Sequence, residues 1–195
     1  FCLPPYLQKY RGEYPGINVI IQPGNEPYII ESVKSGELDI GIILDPPFKD
    51  PDLHCSILRE ETLVFITNPD HKLACRSEVH IEDLEGESLI MTEDGCTYRA
   101  MLLNVLKGNQ VNYSLSYEFG NLEAIKQCVI YDLGIALLPR IAVAEEIRKG
   151  QIVAIPFVHP ECNFYTQLIY SKKKWKSKAF QGFVDVISGT NYQYD

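Results

Sequence analysis

The segment 119–139 constrains the fold of this chain more than any other part of the sequence. Gly120 and Asn121 open an amphipathic helix that stops near Gly134. A short apolar strand then runs directly into Pro139, which predicts the start of another helix. Backbone N–H groups at the first turn of a helix can hold a small polar or anionic ligand. The segment therefore predicts ligand binding rather than bond-making chemistry.

The strand 134–138 has almost no polar residues, so we expect both of its faces to be covered, as in a parallel sheet. This pattern predicts an α/β fold. Apolar periodicity and stop signals predict helices at 3–14, 28–35, 98–106, 121–131, 140–149 and 176–188. Strands are predicted at 17–21, 38–44, 53–57, 61–67, 88–91, 113–117, 134–138, 151–155 and 164–170.

The order of these elements predicts two lobes. A turn-rich segment after residue 67 indicates that the chain passes into a second lobe. We expect the first lobe to comprise residues 1–67 and 162–195 and the second to comprise residues 68–161, with two crossovers. Two α/β lobes joined in this way enclose a cleft at the carboxyl ends of their strands, where α/β sheets bind ligands.

The charge balance argues against a nucleic-acid-binding role for these residues. The net charge is -8, whereas duplex affinity depends on Lys and Arg side chains that neutralise phosphates. The one basic run, 172–178, lies between a predicted strand and helix and is interpreted as a solvated turn. No apolar run approaches the ~20 residues of a membrane span, so no membrane partner is expected.

The cysteines and histidines predict neither a metal site nor an active site. The six cysteines form no C-x-x-C pair and have no nearby histidine, so we expect free thiols in a reducing cytoplasm. An even number of cysteines is also compatible with disulfides in a secreted protein. The four histidines are isolated from one another and from any Ser or Cys motif; they are His54, His71, His80 and His159. No enzyme and no cofactor are therefore predicted.

Five ordered segments carry a resemblance to a known family: 3–16, 35–42, 68–74, 95–99 and 121–139. With these segments, the chain resembles the effector-binding domain of a LysR-type transcriptional regulator over nearly its whole length. The resemblance implies a two-lobed, type 2 periplasmic-binding-protein-like α/β fold with a small-molecule effector between the lobes. It also implies a homodimer, with a tetramer as a further option for the full-length protein.

The family's N-terminal winged helix-turn-helix, its linker helix and the strand before the first helix are absent from this sequence. DNA binding is therefore expected only through that missing domain. An effector would change the arrangement of the lobes and so of an attached DNA-binding dimer. Two other hypotheses remain, namely an extracytoplasmic solute-binding protein of the same fold and a two-lobed α/β enzyme. An upstream helix-turn-helix would favour the regulator, and an upstream signal sequence the solute receptor.

Three loops enter helices where the cleft is expected: 24–27, 95–97 and 120–122. Their glycines let a ligand approach the backbone, and Thr97 and Asn121 are good N-cap residues. The loops could instead do no more than cap their helices, but the family resemblance implies that they line the effector site. The candidate ligand-binding residues are Gly24, Asn25, Glu26, Asp45, Ile66, Gly95, Cys96, Thr97, Arg99, Gly120, Asn121 and Leu122.

The charge of the ligand stays open at this point. Arg99 could bind an anion bidentately or form an ion pair with a neighbouring carboxylate, Glu93, Asp94 or Glu118. Helix N-termini favour a carboxylate or another anionic group, and this is the ligand that we expect. An ammonium or hydroxyl group could instead bind at Glu26 and Asp45.

Cys96 could be a reactive thiol, because it lies near a helix N-terminus and an Arg. Peroxide-sensing members of the family that the chain resembles have a resolving cysteine a short way downstream. Here no cysteine lies between Cys96 and Cys128, so we favour a steric or polar role in the ligand site. Self-association is predicted from the aromatic face of the first helix, formed by Tyr6, Tyr10 and Tyr14, although these rings could simply cover the first lobe's sheet.

Overall fold

The computed structural model describes residues 3–189. The helices are α1 (Leu3–Glu13), α2 (Glu26–Ser35), α3 (Thr97–Gly108), α4 (Leu122–Ile130), α5 (Ala144–Arg148) and α6 (Lys178–Gly189). The strands are β1 (Gly41–Asp45), β2 (Leu53–Glu61), β3 (Leu63–Thr67), β4 (Ser88–Thr92), β5 (Ser114–Phe119), β6 (Ala136–Pro139), β7 (Val153–Pro156) and β8 (Phe164–Ser171). Mixed helix and strand content of this kind agrees with the predicted α/β class.

The chain divides into two compact units. Unit 1 contains the residues up to Ile43, then Phe48–Arg59, and the residues from Thr166 on. Unit 2 contains Leu44–Pro47 and Glu60–Tyr165. These units differ from the expected lobes, because 44–47, 60–67 and 162–165 belong to unit 2. The physical reason is that the fully buried strand β3 pairs with β6 on one side and β7 on the other, and both are unit 2 strands.

Unit 1 is built on a three-stranded sheet of order β1-β8-β2. The helix α6 packs an apolar face against β8 through Phe180, Val184 and Ile187. α1 packs on α6, where the Tyr10 hydroxyl donates a hydrogen bond of 3.0 Å to the carbonyl oxygen of Ala179. Tyr10 is only 3% exposed. Tyr10 therefore packs inside unit 1. The sequence had led us to expect a dimer contact for this ring, with packing inside the first lobe as the alternative.

The strand predicted at 17–21 does not form. This stretch is extended but takes part in no sheet among the described residues, and its apolar side chains face solvent, with Ile20 75% exposed. The prediction was wrong because a β-rich composition gives a strand only where a neighbouring strand supplies hydrogen bonds. The stretch 17–21 is thus an uncovered apolar surface of unit 1.

Unit 2 contains two sheets that meet at Ile135, in the apolar segment 134–138. β6-β3-β7 is antiparallel and β4-β5 is parallel. Ile135, just before β6, joins them, because its N–H donates to the carbonyl of Ser88 (2.9 Å) and its carbonyl accepts from the N–H of Ile90 (2.8 Å). The segment is buried as predicted. Its pairing is mixed, however, because β6 pairs antiparallel with β3 whereas Ile135 forms a parallel bridge with Leu89.

The core of unit 2 is the larger of the two units' cores. Fully buried large side chains include Phe65, Leu84, Leu106, Ile125 and Leu138. They come from strands and helices on both sides of the sheets, which fixes the strand ends and the loops that leave them. None of the helices within 3–189 has the length and apolar character needed to cross a membrane.

Candidate ligand-binding site

The carboxyl ends of β4 and β5 bring two of the three predicted loops together in unit 2. The strands are parallel neighbours, and Thr92 is in register with Phe119 at their ends. The loop after β4 leads into α3, and the loop after β5 leads into α4. Because both loops leave the same edge, the candidate residues at 95–99 and 120–122 lie in one region.

The start of α3 differs from the sequence prediction in its capping residue. Cys96, not Thr97, is the N-cap, and its side chain makes no capping hydrogen bond. Thr97 is already helical, because the backbone leaves the extended conformation only after Cys96. The turn before it needs Gly95, whose φ is +87°. The first turn of α3 therefore lacks a side-chain cap.

Arg99 lies in this first turn with its guanidinium mostly buried, at 12% side-chain exposure. Nη1 donates to the backbone carbonyl of Thr92 at 2.7 Å, and Nη2 lies 2.8 Å from Oε2 of Glu118. The third nitrogen, Nε, is buried and has no hydrogen-bond partner in the described part of the chain. Nη1 and Nη2 thus hold the guanidinium in place, and the N–H of Nε remains without a hydrogen-bond partner among the described residues.

The hydroxyl of Thr92 is a second buried group without a partner within 3–189. Thr92 is 8% exposed, and both it and Arg99 line a small cavity of unit 2. The other lining residues are mainly apolar: Phe65, Leu89, Ile90, Met91, Tyr98, Leu102, Ile135 and Leu137. The enclosed part has room for about one water molecule, so it can accept one small polar group and not a whole ligand.

The start of α4 confirms the predicted N-cap. Oδ1 of Asn121 accepts a hydrogen bond of 2.8 Å from the N–H of Glu123. Leu122 is the first helical residue and packs against the core of unit 2. The carboxylate of Glu93 lies against Gly120, because a Cβ atom at residue 120 would be 2.7 Å from its Oε2. An exposed carboxylate therefore stands beside this helix N-terminus.

The third predicted loop lies in unit 1. Asn25 is the N-cap of α2, with Oδ1 accepting from the N–H of Tyr28 at 3.1 Å, and Glu26 is the first helical residue. Gly24 lies directly under the ring of Tyr28, where a side chain would collide with it. This loop therefore needs its Gly and Asn for local structure, whatever else it contacts.

Two further candidates lie in unit 2. Asp45 ends β1 and is half-buried, and burial raises the pKa of its carboxyl group. Ile66 is fully buried in β3, opposite Ala136 and Ala154, so it belongs to the core. Of the cysteines that the structure describes, Cys96 and four others are free thiols. No group of His, Cys, Asp or Glu in 3–189 could hold a metal ion.

The basic run 172–178 lies in unit 1, where several of its lysines contact neighbouring residues. Lys172 Nζ donates to the backbone carbonyl of Pro51 at 2.8 Å, and Lys174 forms an ion pair with Asp39. Trp175, which follows Lys174, is 83% exposed. This arrangement agrees with the solvated turn predicted from the sequence.

Thr92 is the functional candidate that sequence reasoning missed. Its only signal is a polar residue at the carboxyl end of a buried strand. From the sequence, Glu118 was only one of three carboxylates that could form an ion pair with Arg99. Both become evident because the register of β4 and β5 places the two strand ends side by side.

Comparisons with known proteins agree with this fold. The LysR substrate binding domain family matches residues 1–190. An HTH-type transcriptional regulator of Bacillus subtilis, YwqM, is 34% identical over 97% of this chain and 64% of its own length. The HTH-type transcriptional activator CmpR of Synechocystis is 29% identical over 96% of this chain and 61% of its own length. The chain therefore spans less than two thirds of these relatives.

A solved structure is similar to this chain in both fold and sequence. The CcmR regulatory domain of Synechocystis PCC6803, in complex with 2-PG, has a TM-score of 0.85 and 27% identity. The match covers 96% of this chain and 89% of that one. The type 2 periplasmic-binding-protein-like fold expected from the sequence is confirmed by this match.

Proposed function

Because the chain belongs to the LysR substrate-binding domain family, we propose that it binds a small anionic effector at the carboxyl ends of β4 and β5. It is an effector-binding domain and not an enzyme, as expected from the sequence. The finer proposal concerns the chemistry of the effector and the residues that hold it. The solute-receptor alternative is less favoured, since the relatives are transcriptional regulators.

The observation that carries the proposal is the buried Arg99 with a free donor beside the free hydroxyl of Thr92. A buried guanidinium needs an anionic partner, and unpaired buried donors are costly. A carboxylate or phosphate oxygen satisfies both requirements at once, because Arg nitrogens match these groups in a planar fork. The N-termini of α3 and α4 at the same edge add a favourable electrostatic field for an anion.

The rest of the predicted ligand set stays part of the proposal. Gly95, Cys96, Thr97, Gly120, Asn121 and Leu122 lie in the two unit 2 loops that precede α3 and α4 or at the first residue of these helices. The loop 24–26, Asp45 and Ile66 remain predictions for the effector site. The CcmR regulatory domain, which was solved with 2-PG, supports a small ligand for a related domain.

The effector proposal is tested by calorimetry and thermal-shift screening of small carboxylates and phosphates. Arg99→Gln should weaken binding of a hit about tenfold or more, because a hydrogen bond to a charged group contributes about 1.5–3 kcal/mol. Thr97→Ala and Asn121→Ala should also weaken it. Arg148→Gln removes an exposed Arg with its own ion pair to Glu145 and should leave affinity unchanged. Equal affinity in Arg99→Gln and Arg148→Gln would disprove the site.

We also propose that the domain forms homodimers and acts on DNA only through an attached DNA-binding domain in a cytoplasmic regulator. Two exposed surfaces replace the helix α1 tyrosines as the basis for the dimer. One is the stretch 17–21, and the other is 113–117, where Leu115 is 47% exposed on β5. Both lie in uncharged segments, 14–25 and 108–117. Burying them against a second copy therefore desolvates no charge.

Sedimentation tests the dimer. Ile20→Lys and Leu115→Lys should each shift the chain towards monomer, because an unpaired charge is buried in the interface. Tyr131→Lys is the matched control, since Tyr131 is 75% exposed outside both surfaces. A wild-type chain that stays monomeric at high concentration would contradict the proposal. The same chain should not retard duplex DNA in a sequence-selective manner, given its net charge of -8.

A further inference from the structure

The two partners of the Arg99–Glu118 ion pair differ strongly in burial. The Arg99 side chain is 12% exposed, whereas the Glu118 side chain is 43% exposed. The guanidinium is also tied to the backbone, because Nη1 donates to the carbonyl of Thr92 at 2.7 Å. Glu118 has no contact of this kind, and Arg99 is the only side-chain partner of its carboxylate within 3–189. Arg99 is therefore held in place, whereas Glu118 can move away from it.

We infer that Glu118 occupies the anion position on Arg99 in the effector-free domain, and that the anionic group of the effector replaces it. This inference rests on the proposed function. It adds that a side chain of the domain itself, Glu118, competes with the effector for Arg99. Glu118 then sets the affinity of the site, while Arg99 supplies the attraction. The class of ligand follows directly, since only a group that carries its own negative charge can take the place of a carboxylate.

The energetic argument depends on what each partner gains or loses. Leaving Arg99 without an anion strands a buried charge, which is strongly unfavourable. Glu118, in contrast, regains water when it swings away, because much of its side chain already faces solvent. Exchange of one anion for another therefore avoids the stranded charge. A neutral ligand would have to displace Glu118 without replacing its charge, so the site excludes it.

Two more carboxylates face this region without contacting Arg99. Glu93 lies against Gly120, and Asp94 follows it in the exposed loop before α3. Their charges also repel an incoming anion, but through solvent, where screening acts over roughly 8–10 Å. Glu93 is thus a control for charge alone, because it has the same charge as Glu118 and no bond to the guanidinium.

The alternative is that Arg99–Glu118 is only a structural ion pair. In that case removing Glu118 should lower the stability of the domain and give no gain in anion affinity. Either interpretation allows some loss of stability, because Arg99 loses its anionic partner, so the change in anion affinity is what distinguishes them. Because Glu118 is 43% exposed, its replacement should leave the domain folded, and thermal unfolding of each variant checks this.

The experiment titrates inorganic phosphate into the wild-type chain, Glu118→Gln, Glu118→Asp, Glu93→Gln and Arg99→Gln. Binding is followed through the Arg99 Nε–Hε signal in nitrogen-15 NMR spectra and by calorimetry. Glu118→Gln should bind phosphate about fivefold or more tightly than wild type, the factor expected when an ion pair of about 1 kcal/mol no longer competes. Glu118→Asp keeps the charge but shortens the reach, and should gain part of this factor. Glu93→Gln should change affinity by less than about twofold.

Three results decide the outcome. Tighter binding in Glu118→Gln and Glu118→Asp, with little change in Glu93→Gln, supports the inference. Unchanged or weaker binding in Glu118→Gln, while Arg99→Gln abolishes the wild-type titration, overturns it and leaves the proposed function in place. Failure of phosphate to move the Arg99 signal in the wild type and in the three variants that keep Arg99 overturns the proposed function and this inference together.

Discussion

Gly134 lies so close to Ser88 that a Cβ atom at residue 134 would be 2.5 Å from the Ser88 carbonyl oxygen. The same carbonyl accepts the hydrogen bond from the N–H of Ile135 that joins the two sheets of unit 2. The φ of Gly134 is +152°, a backbone conformation that side chains rarely allow. The junction between β4 and β6 therefore depends on the absence of a side chain at this one position.

We expect Gly134→Ala to lower the free energy of unfolding by about 2 kcal/mol or more, because the backbone must move away from Ser88. Gly108→Ala is the matched control, since no atom lies near its Cβ position. It should be neutral or slightly stabilising. Urea denaturation measures both, and equal effects of the two substitutions would contradict the close approach.

We expect Tyr10→Phe to destabilise the domain by about 1 kcal/mol. The substitution removes the hydroxyl that donates to Ala179 and leaves a carbonyl of the α6 segment without this donor in a buried contact. Tyr131→Phe, at an exposed ring, should change stability very little. Chemical denaturation compares the two variants. If Tyr10→Phe shifts oligomeric state and not stability, then Tyr10 belongs to an interface and not to unit 1.

The ion pair of Lys34 and Asp50, at 2.8 Å, should make stability depend on pH. The hydrogen bond from Lys34, aided by that from the N–H of Asp52, lowers the pKa of Asp50. A carboxyl group with a lowered pKa stabilises the fold above its unfolded pKa, and this contribution is lost as pH falls through its folded pKa. Asp50→Asn should therefore be less stable than wild type at neutral pH and approach it in acid.

Denaturation midpoints at neutral pH, near pH 4 and at lower pH measure this convergence. Asp70→Asn serves as a control, because Asp70 is exposed and its carboxylate forms no ion pair among the described residues. Its difference from wild type should stay small at every pH. A gap between Asp50→Asn and wild type that is independent of pH would show that Asp50 acts through packing.

The cysteines should react with iodoacetamide at very different rates. Burial raises the pKa of Cys162 to about 11, so only about one in a thousand of these thiols is ionised at pH 8. Cys75 is exposed and should be alkylated first. The rate at Cys162 should rise about tenfold for each pH unit below 11. Peptide mass spectrometry follows both sites, and in urea they should react alike. Equal rates in the folded chain would contradict the raised pKa of the partly buried Cys162.

Local signals explain which elements could be predicted from the sequence. The helix α4 was found because Asn121 caps it and a periodic apolar face follows. The helix α2 was found from its apolar residues and from Gly36 after its end. These signals act within one or two turns of chain. The strand at 17–21 was wrong, and the antiparallel pairing of β6 with β3 was not predicted, because strand pairing depends on residues far away in the chain.

For the candidate site, the sequence indicated which loops to consider and not which atoms contact one another. Glycines and helix starts marked 95–97 and 120–122 in advance. Nothing in the local sequence distinguishes a carboxylate that contacts Arg99, Glu118, from one that does not, Glu93. That difference follows from the register of two parallel strands, in which Thr92 lies opposite Phe119.

The placement of the candidate recognition groups at the ends of adjacent strands, and in the loops and first helical turns that follow, has an evolutionary consequence. Residues 93–95 are exposed, whereas β4 beneath them is almost fully buried. Replacing the loop residues can change which ligand is selected, while the sheets that determine folding stay the same. Related domains can thus diversify in specificity by exchanging a few loop positions, with Arg99 kept or lost according to whether the new ligand is charged.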